Sequence, residues 1–326
     1  MIREYEKMNE VEKLHFLAEL SNMYYKLNMT QEEIAKQFSI TRFKVSKFLQ
    51  EARNKGVVEI NINQPRERLY EIENRLKECF NLKEAIVLDS TSLESEELLY
   101  SLGKLGAEYV DSIMTEHSIV GVLWGKTVSS LIKNIKPRKK LPITAVQVIG
   151  SAAKNNPLVD APELIRRIAN AYEGNYRYLY APQYIVNDYA RKALIQEPII
   201  NDALFLANKS DIIITGIGTI KSIFSSALWT RYFVKDLEKY LKDHNAVGCT
   251  CGYIYDINGN CLDIEQNKKL IGIDLNTIHH AQYSVGIVTG KFKVEAILGA
   301  LRGKYVNVLI TDDDTALKVL SLSETI

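Results

Sequence analysis

Residues 30–56 read TQEEIAKQFSITRFKVSKFLQEARNKG, and the spacing inside this stretch sets the architecture of the N-terminal part of the chain. Thr30 followed three residues later by Glu33 is the pattern of a capping box, in which each side chain satisfies an orphan backbone amide, so a short helix is predicted from Gln31 to Phe38. Ser39, Ile40 and Thr41 then form a turn with an apolar centre, and Thr41 is a suitable N-cap for a third helix reaching Asn54. Along that helix Val45, Phe48, Leu49 and Ala52 recur at helical spacing and make a core stripe. Phe43, Ser46, Lys47 and Gln50 share another face, with Arg42 and Lys44 flanking its start. A helix that enters a major groove needs this division between an apolar side and a hydrogen-bonding side. Arg42, Phe43, Lys44, Ser46 and Lys47 are therefore the candidate DNA contacts.

Charge supports the same reading. Between Lys36 and Val58 there are six basic residues against one acidic residue, Glu51, a local excess that attracts phosphate. The whole chain of 326 residues carries a formal charge of only +1, so its overall balance advertises no nucleic-acid partner. The plainer alternative is a three-helix subdomain with a solvated basic face. The capping box, the turn and the two-faced third helix together favour a helix-turn-helix.

Upstream, Val11, Leu14, Leu17, Ala18 and Met23 recur at helical steps and predict a helix from Asn9 to Asn28. Downstream, Gly56 closes the third helix and VVEINI, Val57 to Ile62, reads as a short strand. Pro65 marks a boundary, after which Leu69, Ile72, Leu76 and Phe80 line one face of a further helix. That helix either dimerises or packs on the next domain; it holds too few heptads for a coiled coil. The expected organisation is a DNA-binding domain over 1–62, a linker helix over 63–82 and a larger domain over 83–326.

In the larger domain short β-branched runs alternate with amphipathic helices. AIVLDS, SIVGVLWG, TAVQVIG, RYLYAP, DIIITGIG, AVGCTCGYIYD, KLIGIDL, YSVGIVTG and VNVLITD read as strands. Between them fall helices at Glu96–Met114, Thr127–Ile135, Glu163–Glu173 and Lys293–Leu301, and a last one from about Asp313. This alternation predicts an α/β fold, a mostly parallel sheet with helices on both faces. Open sheets of this class bind ligands at glycine turns that follow strands. Three such turns stand out: Gly125-Lys126-Thr127, Gly216-Ile217-Gly218, and Gly290 to Lys293. Backbone amides with a lysine and a hydroxyl at a helix start suit a phosphate.

Other groups point away from catalysis. Cys79, Cys249, Cys251 and Cys261 form no C-x-x-C pair, and no metal is expected. His279-His280 is an adjacent pair with diverging side chains, and Asp256-Ile257-Asn258-Gly259-Asn260 lacks the later calcium ligands and reads as a turn. Asp312-Asp313-Asp314 reads as the start of a helix. No apolar run approaches the roughly 18 residues of a membrane span, and the charged start argues against a signal peptide. A cytoplasmic, non-enzymatic protein without cofactor is expected.

Taken together, TQEEIAKQFSITRFKVSKFLQEARNKGVVEI, IVGVLWGKT, DIIITGIG, AVGCTCGYIYDINGN and GKFKVEAILGALRGKYVNVLITDDDTA make the chain resemble the SorC family of sugar-binding bacterial transcriptional regulators over nearly its full length. The resemblance implies a winged helix-turn-helix joined to a Rossmann-like α/β effector domain of the sugar-phosphate isomerase/CoA-transferase type. It implies operator DNA and a phosphorylated sugar as partners, self-association as a dimer or tetramer, and repression as the commoner arrangement. By position Gly125, Lys126 and Thr127 would hold phosphate, and Lys293 would sit at the effector site. Arg231 would align with a phosphate-binding arginine, and Gly150, Gly216, Gly218 and Cys249 complete the candidate set. Cys249 stands where relatives carry an acid. Ile149 stands where a deoxyribonucleoside-responsive branch has a Schiff-base lysine, so covalent capture is not expected. The competing reading is a sugar-phosphate isomerase or deaminase with an accessory DNA-binding module.

Overall fold

In a computed structural model that describes residues 5, 6, 8–60, 68–151, 160–224 and 237–325, the chain divides into two units, Met1–Pro65 and Arg66–Ile326. The described part of the first unit is helical: α1 (Glu10–Tyr25), α2 (Gln31–Gln37) and α3 (Arg42–Asn54). Both ends of the predicted capping box form, with Thr30 N donating to Glu33 at 2.8 Å and Glu33 N to Thr30 Oγ1 at 3.3 Å. A second box at Asn9 and Glu12 starts α1. Leu20, Ile34, Val45 and Leu49 bury one shared core, and Ser39 turns the chain between α2 and α3 at φ 51°. The strand expected over Val57–Ile62 is not formed at residues 57–60, since the described neighbours are helices and offer no strand edge to pair with; residues 61 and 62 lie outside the described residues.

The second unit opens with α4 (Tyr70–Phe80), whose Leu76 is buried against Leu82 and Val87. Then follow β1 (Glu84–Leu88), α5 (Ser95–Ile113), β2 (Ile119–Val122), α6 (Lys126–Asn134), β3 (Thr144–Gln147), α7 (Ala161–Tyr172), β4 (Asn175–Arg177), α8 (Asp188–Gln196), α9 (Pro198–Ala207), β5 (Ile212–Thr215) and β6 (Gly218–Thr219). The chain continues through β7 (Ala246–Thr250), β8 (Tyr253–Asp256), β9 (Tyr283–Ile287), α10 (Val294–Arg302), β10 (Val308–Asp312) and α11 (Asp313–Thr325). Seven strands form one parallel sheet in the order β1-β10-β9-β5-β2-β3-β4.

The inner strands are largely apolar because both faces are covered, whereas β4 at the sheet edge is polar and exposed. Ala85 and Val87 of β1 and Ile213 of β5 face a core shared with α4, α10 and α11. Ile86, Leu88, Ile212 and Ile214 face the opposite core, built on α5, α6 and α7. From β2 the chain moves outward through β3 to β4, then returns to place β5 on the other side of β2. The strand order reverses there, and a crevice opens between the carboxyl ends of β2 and β5.

Three readings need correction. AVGCTCGYIYD is two strands, β7 and β8, in a small antiparallel sheet with β6. The turn between them is Cys251-Gly252 at φ 48° and 83°, the positive pair that a tight hairpin turn demands. KLIGIDL contributes only isolated bridges at Leu270 and Gly272, and RYLYAP overlaps β4 only at Arg177. The Asp256 turn is self-contained: its carboxylate accepts from the amides of Asn258 and Asn260 at 2.9 and 2.8 Å. No helix of the described residues is long and apolar enough to cross a membrane.

Candidate functional site

A cavity of about 240 Å³ lies in the second unit at the reversal between β2 and β5. Its floor is the turn from Leu123 to Thr127, one side is Gly216 to Gly218, and the β7–β8 hairpin with Cys249 to Gly252 walls another. Lys293 reaches in from the turn after β9. The volume is smaller than the roughly 300–1,000 Å³ of drug-sized sites, which suits a ligand of a few carbon atoms.

The floor is built to expose amides. Gly125 occupies the N-cap of α6 at φ 151°, a conformation that strains any residue with a Cβ, and no side chain caps the helix behind it. The first amides of α6 have no intrahelical acceptor and carry the positive end of the helix dipole. Lys126 is exposed at the same turn and lines the cavity. Thr127 also lines it, but its hydroxyl donates to Ile287 O at 2.8 Å. That single proton ties α6 to the end of β9, so the Thr127 hydroxyl proton is engaged within the fold and is not offered to the cavity.

The second glycine turn is held from behind by hydroxyls. Thr215 Oγ1 and Thr250 Oγ1 both donate to Gly216 O at 3.0 Å. Cys251 packs on Thr215 at 3.9 Å, and complete burial pushes its thiol up to about 12, which keeps it protonated and inert. Cys249 lines the cavity against Gly218, where a Cβ would come within 3.0 Å of its sulfur. The third turn separates two lysines. Lys291 pairs with Asp314 at 2.7 Å on the surface, while Lys293 is half-buried and has no carboxylate partner among the described residues. Burial lowers the Lys293 pKa below its ordinary value, partly offset by the neighbouring Cys249 sulfur.

The cavity therefore gathers Gly125, Lys126, Thr127, Gly216, Gly218, Cys249 and Lys293. Gly150 is not part of it: its backbone runs against Pro182, where a Cβ would stand 2.4 Å from the carbonyl oxygen, so the glycine serves close packing. Arg231 lies outside the described residues. Gln183 lines the cavity and was not foreseen, because it follows a proline in an irregular segment without periodicity. Among the described lining residues there is no aspartate, glutamate or histidine, and among the described residues no three such groups stand together to hold a metal ion.

In the first unit α3 presents Arg42, Phe43, Ser46, Lys47 and Gln50 to solvent, with Lys44 half-buried beside them. Phe43 is 69% exposed, and Lys47 Nζ lies 5.1 Å from its ring centroid. Thr41 occupies the N-cap position without making the expected side-chain hydrogen bond, so the first amides of α3 face outward uncapped. An uncapped, exposed helix start flanked by cations is suited to a DNA phosphate.

Residues 64–321 match the profile of the Sugar-bind family, a sugar-binding domain. The sorbitol operon regulator of Klebsiella pneumoniae is 30% identical over 95% of this chain and 98% of its own length. The deoxyribonucleoside regulator of Bacillus subtilis (strain 168) is also 30% identical, over 94% of this chain and 97% of its own. The crystal structure of the full-length sorbitol operon regulator superposes with a TM-score of 0.71 at 28% identity, covering 95% of this chain and 99% of that one.

Proposed function

The chain belongs to the SorC family of sugar-binding transcriptional regulators, and from that premise we propose that it is a DNA-binding regulator of a carbohydrate-metabolism operon whose effector is a phosphorylated sugar. The observation that carries the effector reading is the cavity's charge. Two lysines and an uncapped helix start converge on it, and no carboxylate among the described lining residues opposes them. An anion of small size is the ligand such a site favours, with Lys126, Lys293 and the amides of α6 on the phosphate. The small volume and the sugar regulators among its relatives support a phosphorylated sugar.

In this reading the protein acts in the cytoplasm as a repressor. It assembles as a dimer or tetramer so that two copies of α3 meet paired half-sites. Effector shifts the balance between operator-competent and incompetent arrangements through its differential affinity for them. Turnover is the weaker reading, since isomerisation or deamination needs a positioned base and the described lining offers no carboxylate or imidazole. Ile149, buried in the core, supplies no amine for covalent capture.

A thermal-shift panel of inorganic phosphate with pentose and hexose phosphates tests the proposal, followed by operator titration with and without the strongest stabiliser. Stabilisation with weakened operator binding is expected. Conversion of the sugar phosphate to product, or stabilisation without any change in operator affinity, refutes the regulatory assignment.

A further inference from the structure

Gln183 is 2% exposed, yet it lines the cavity. Its backbone is fixed on both sides: its amide donates to Ser151 O at 3.1 Å, and its carbonyl accepts from Ile271 N at 2.9 Å. The side chain is fixed as well. Tyr184 spends its only hydroxyl proton on Gly252 O at 3.1 Å, so toward Gln183 its oxygen can only accept. The group 3.2 Å from that oxygen must then be the amide Nε2, which settles which end of the amide is which. Oε1 is left as a buried acceptor with no partner among the described residues.

Buried polar atoms are nearly always paired, and an exception in a cavity wall calls for a donor from the ligand. The phosphate monoester of a sugar phosphate is mainly dianionic at neutral pH, and its oxygens then only accept, so that end of the ligand supplies no donor. An ammonium group is disfavoured by Lys126 and Lys293 in the same cavity. A hydroxyl is the remaining donor. Resting on the reading of the cavity as a sugar-phosphate site, we infer that Gln183 Oε1 accepts a hydrogen bond from a hydroxyl on the effector's carbon chain. The cavity then reads two features of one molecule: a phosphate at Lys126 and Lys293, and a hydroxyl at Gln183. A polyol or sugar phosphate satisfies both, whereas inorganic phosphate satisfies only the first.

Isothermal titration of the full chain with sorbitol 6-phosphate, ribose 5-phosphate and inorganic phosphate tests this, in wild type and in Gln183→Met. Methionine keeps the length of the side chain and removes the acceptor. Wild type is expected to bind at least one sugar phosphate more tightly than inorganic phosphate. In the variant that advantage falls roughly tenfold, the scale of one buried hydrogen bond, while affinity for inorganic phosphate is unchanged. Equal losses for both ligands make Gln183 a residue that merely holds the wall and overturn the inference, as does an unchanged advantage. Should methionine not be accommodated, Gln183→Leu repeats the measurement with the same expectations. If wild type binds inorganic phosphate but neither sugar phosphate more tightly, the anion site stands and the hydroxyl reader falls. If it binds none of the three, the sugar-phosphate reading of the cavity falls and takes the inference with it.

Discussion

Lys293, proposed above as a phosphate ligand, is held at a cost to the fold. Its ammonium is half-buried with no carboxylate partner among the described residues, and desolvation lowers its pKa. Its folded-state pKa thus lies below the unfolded one. Between the two values the unfolded chain retains the proton more readily, so stability rises as pH climbs through that alkaline window. Lys293→Met removes the buried charge and keeps the packing. The ligand-free variant is expected to melt at a higher temperature than wild type near neutral pH, as functional residues often oppose stability. Its affinity for sugar phosphate is expected to fall by at least about tenfold, the worth of a charge-assisted hydrogen bond. Scanning fluorimetry with and without ligand reads both effects. A variant that melts lower and still binds normally would falsify the assignment of Lys293 to the phosphate.

Helix α3 is the element whose role follows most directly from its amino acids. Val45, Leu49 and Ala52 are buried, while Phe43, Ser46 and Lys47 on the other face are exposed, as a period of 3.6 residues requires. Because Lys47 is exposed and among the described residues its charge engages only the Phe43 ring, Lys47→Ala is expected to leave the melting temperature unchanged. Operator affinity should drop several-fold, with the slope of log affinity against log salt reduced by about 1. A salt titration that gives the wild-type slope removes Lys47 from the phosphate contacts. The parallel sheet was legible for a similar reason: strands such as β5, buried on both faces, are continuous apolar runs. The β7–β8 hairpin was not, since its turn is Cys251-Gly252 and lacks the Asn-Gly or Asp-Gly signal. The three glycine turns could be picked out one by one, but Thr127's bond to Ile287, 160 positions away, could not. Gln183 was invisible for the same cause: its meaning depends on Ser151, Tyr184, Gly252 and Ile271, which only the fold brings around it.

At the scale of the molecule the difficulty is affinity. A chain of formal charge +1 has no long-range field to draw it to DNA, and within the basic stretch Lys55 is already engaged by Glu10 and Glu51 at 3.1 and 3.4 Å. One α3 on one half-site therefore gains only a few phosphate contacts, which salt readily weakens. Two copies tethered by self-association convert the second contact into an intramolecular event, worth roughly 10²–10⁴-fold. The full chain is accordingly expected to bind a duplex with two half-sites at least about 100-fold more tightly than a duplex with one. The effector should act on this difference and not on α3, because every described residue lining the cavity belongs to the second unit. Adding the sugar phosphate should lower affinity for the two-site duplex and leave the weak one-site affinity unchanged. Electrophoretic titration of both duplexes, with and without effector, separates the alternatives. A matching loss on both duplexes means that effector alters the DNA-reading helix itself. A loss confined to the paired site means that it acts through the assembly, which is the outcome expected from a sensor whose cavity and reading helix share no residue.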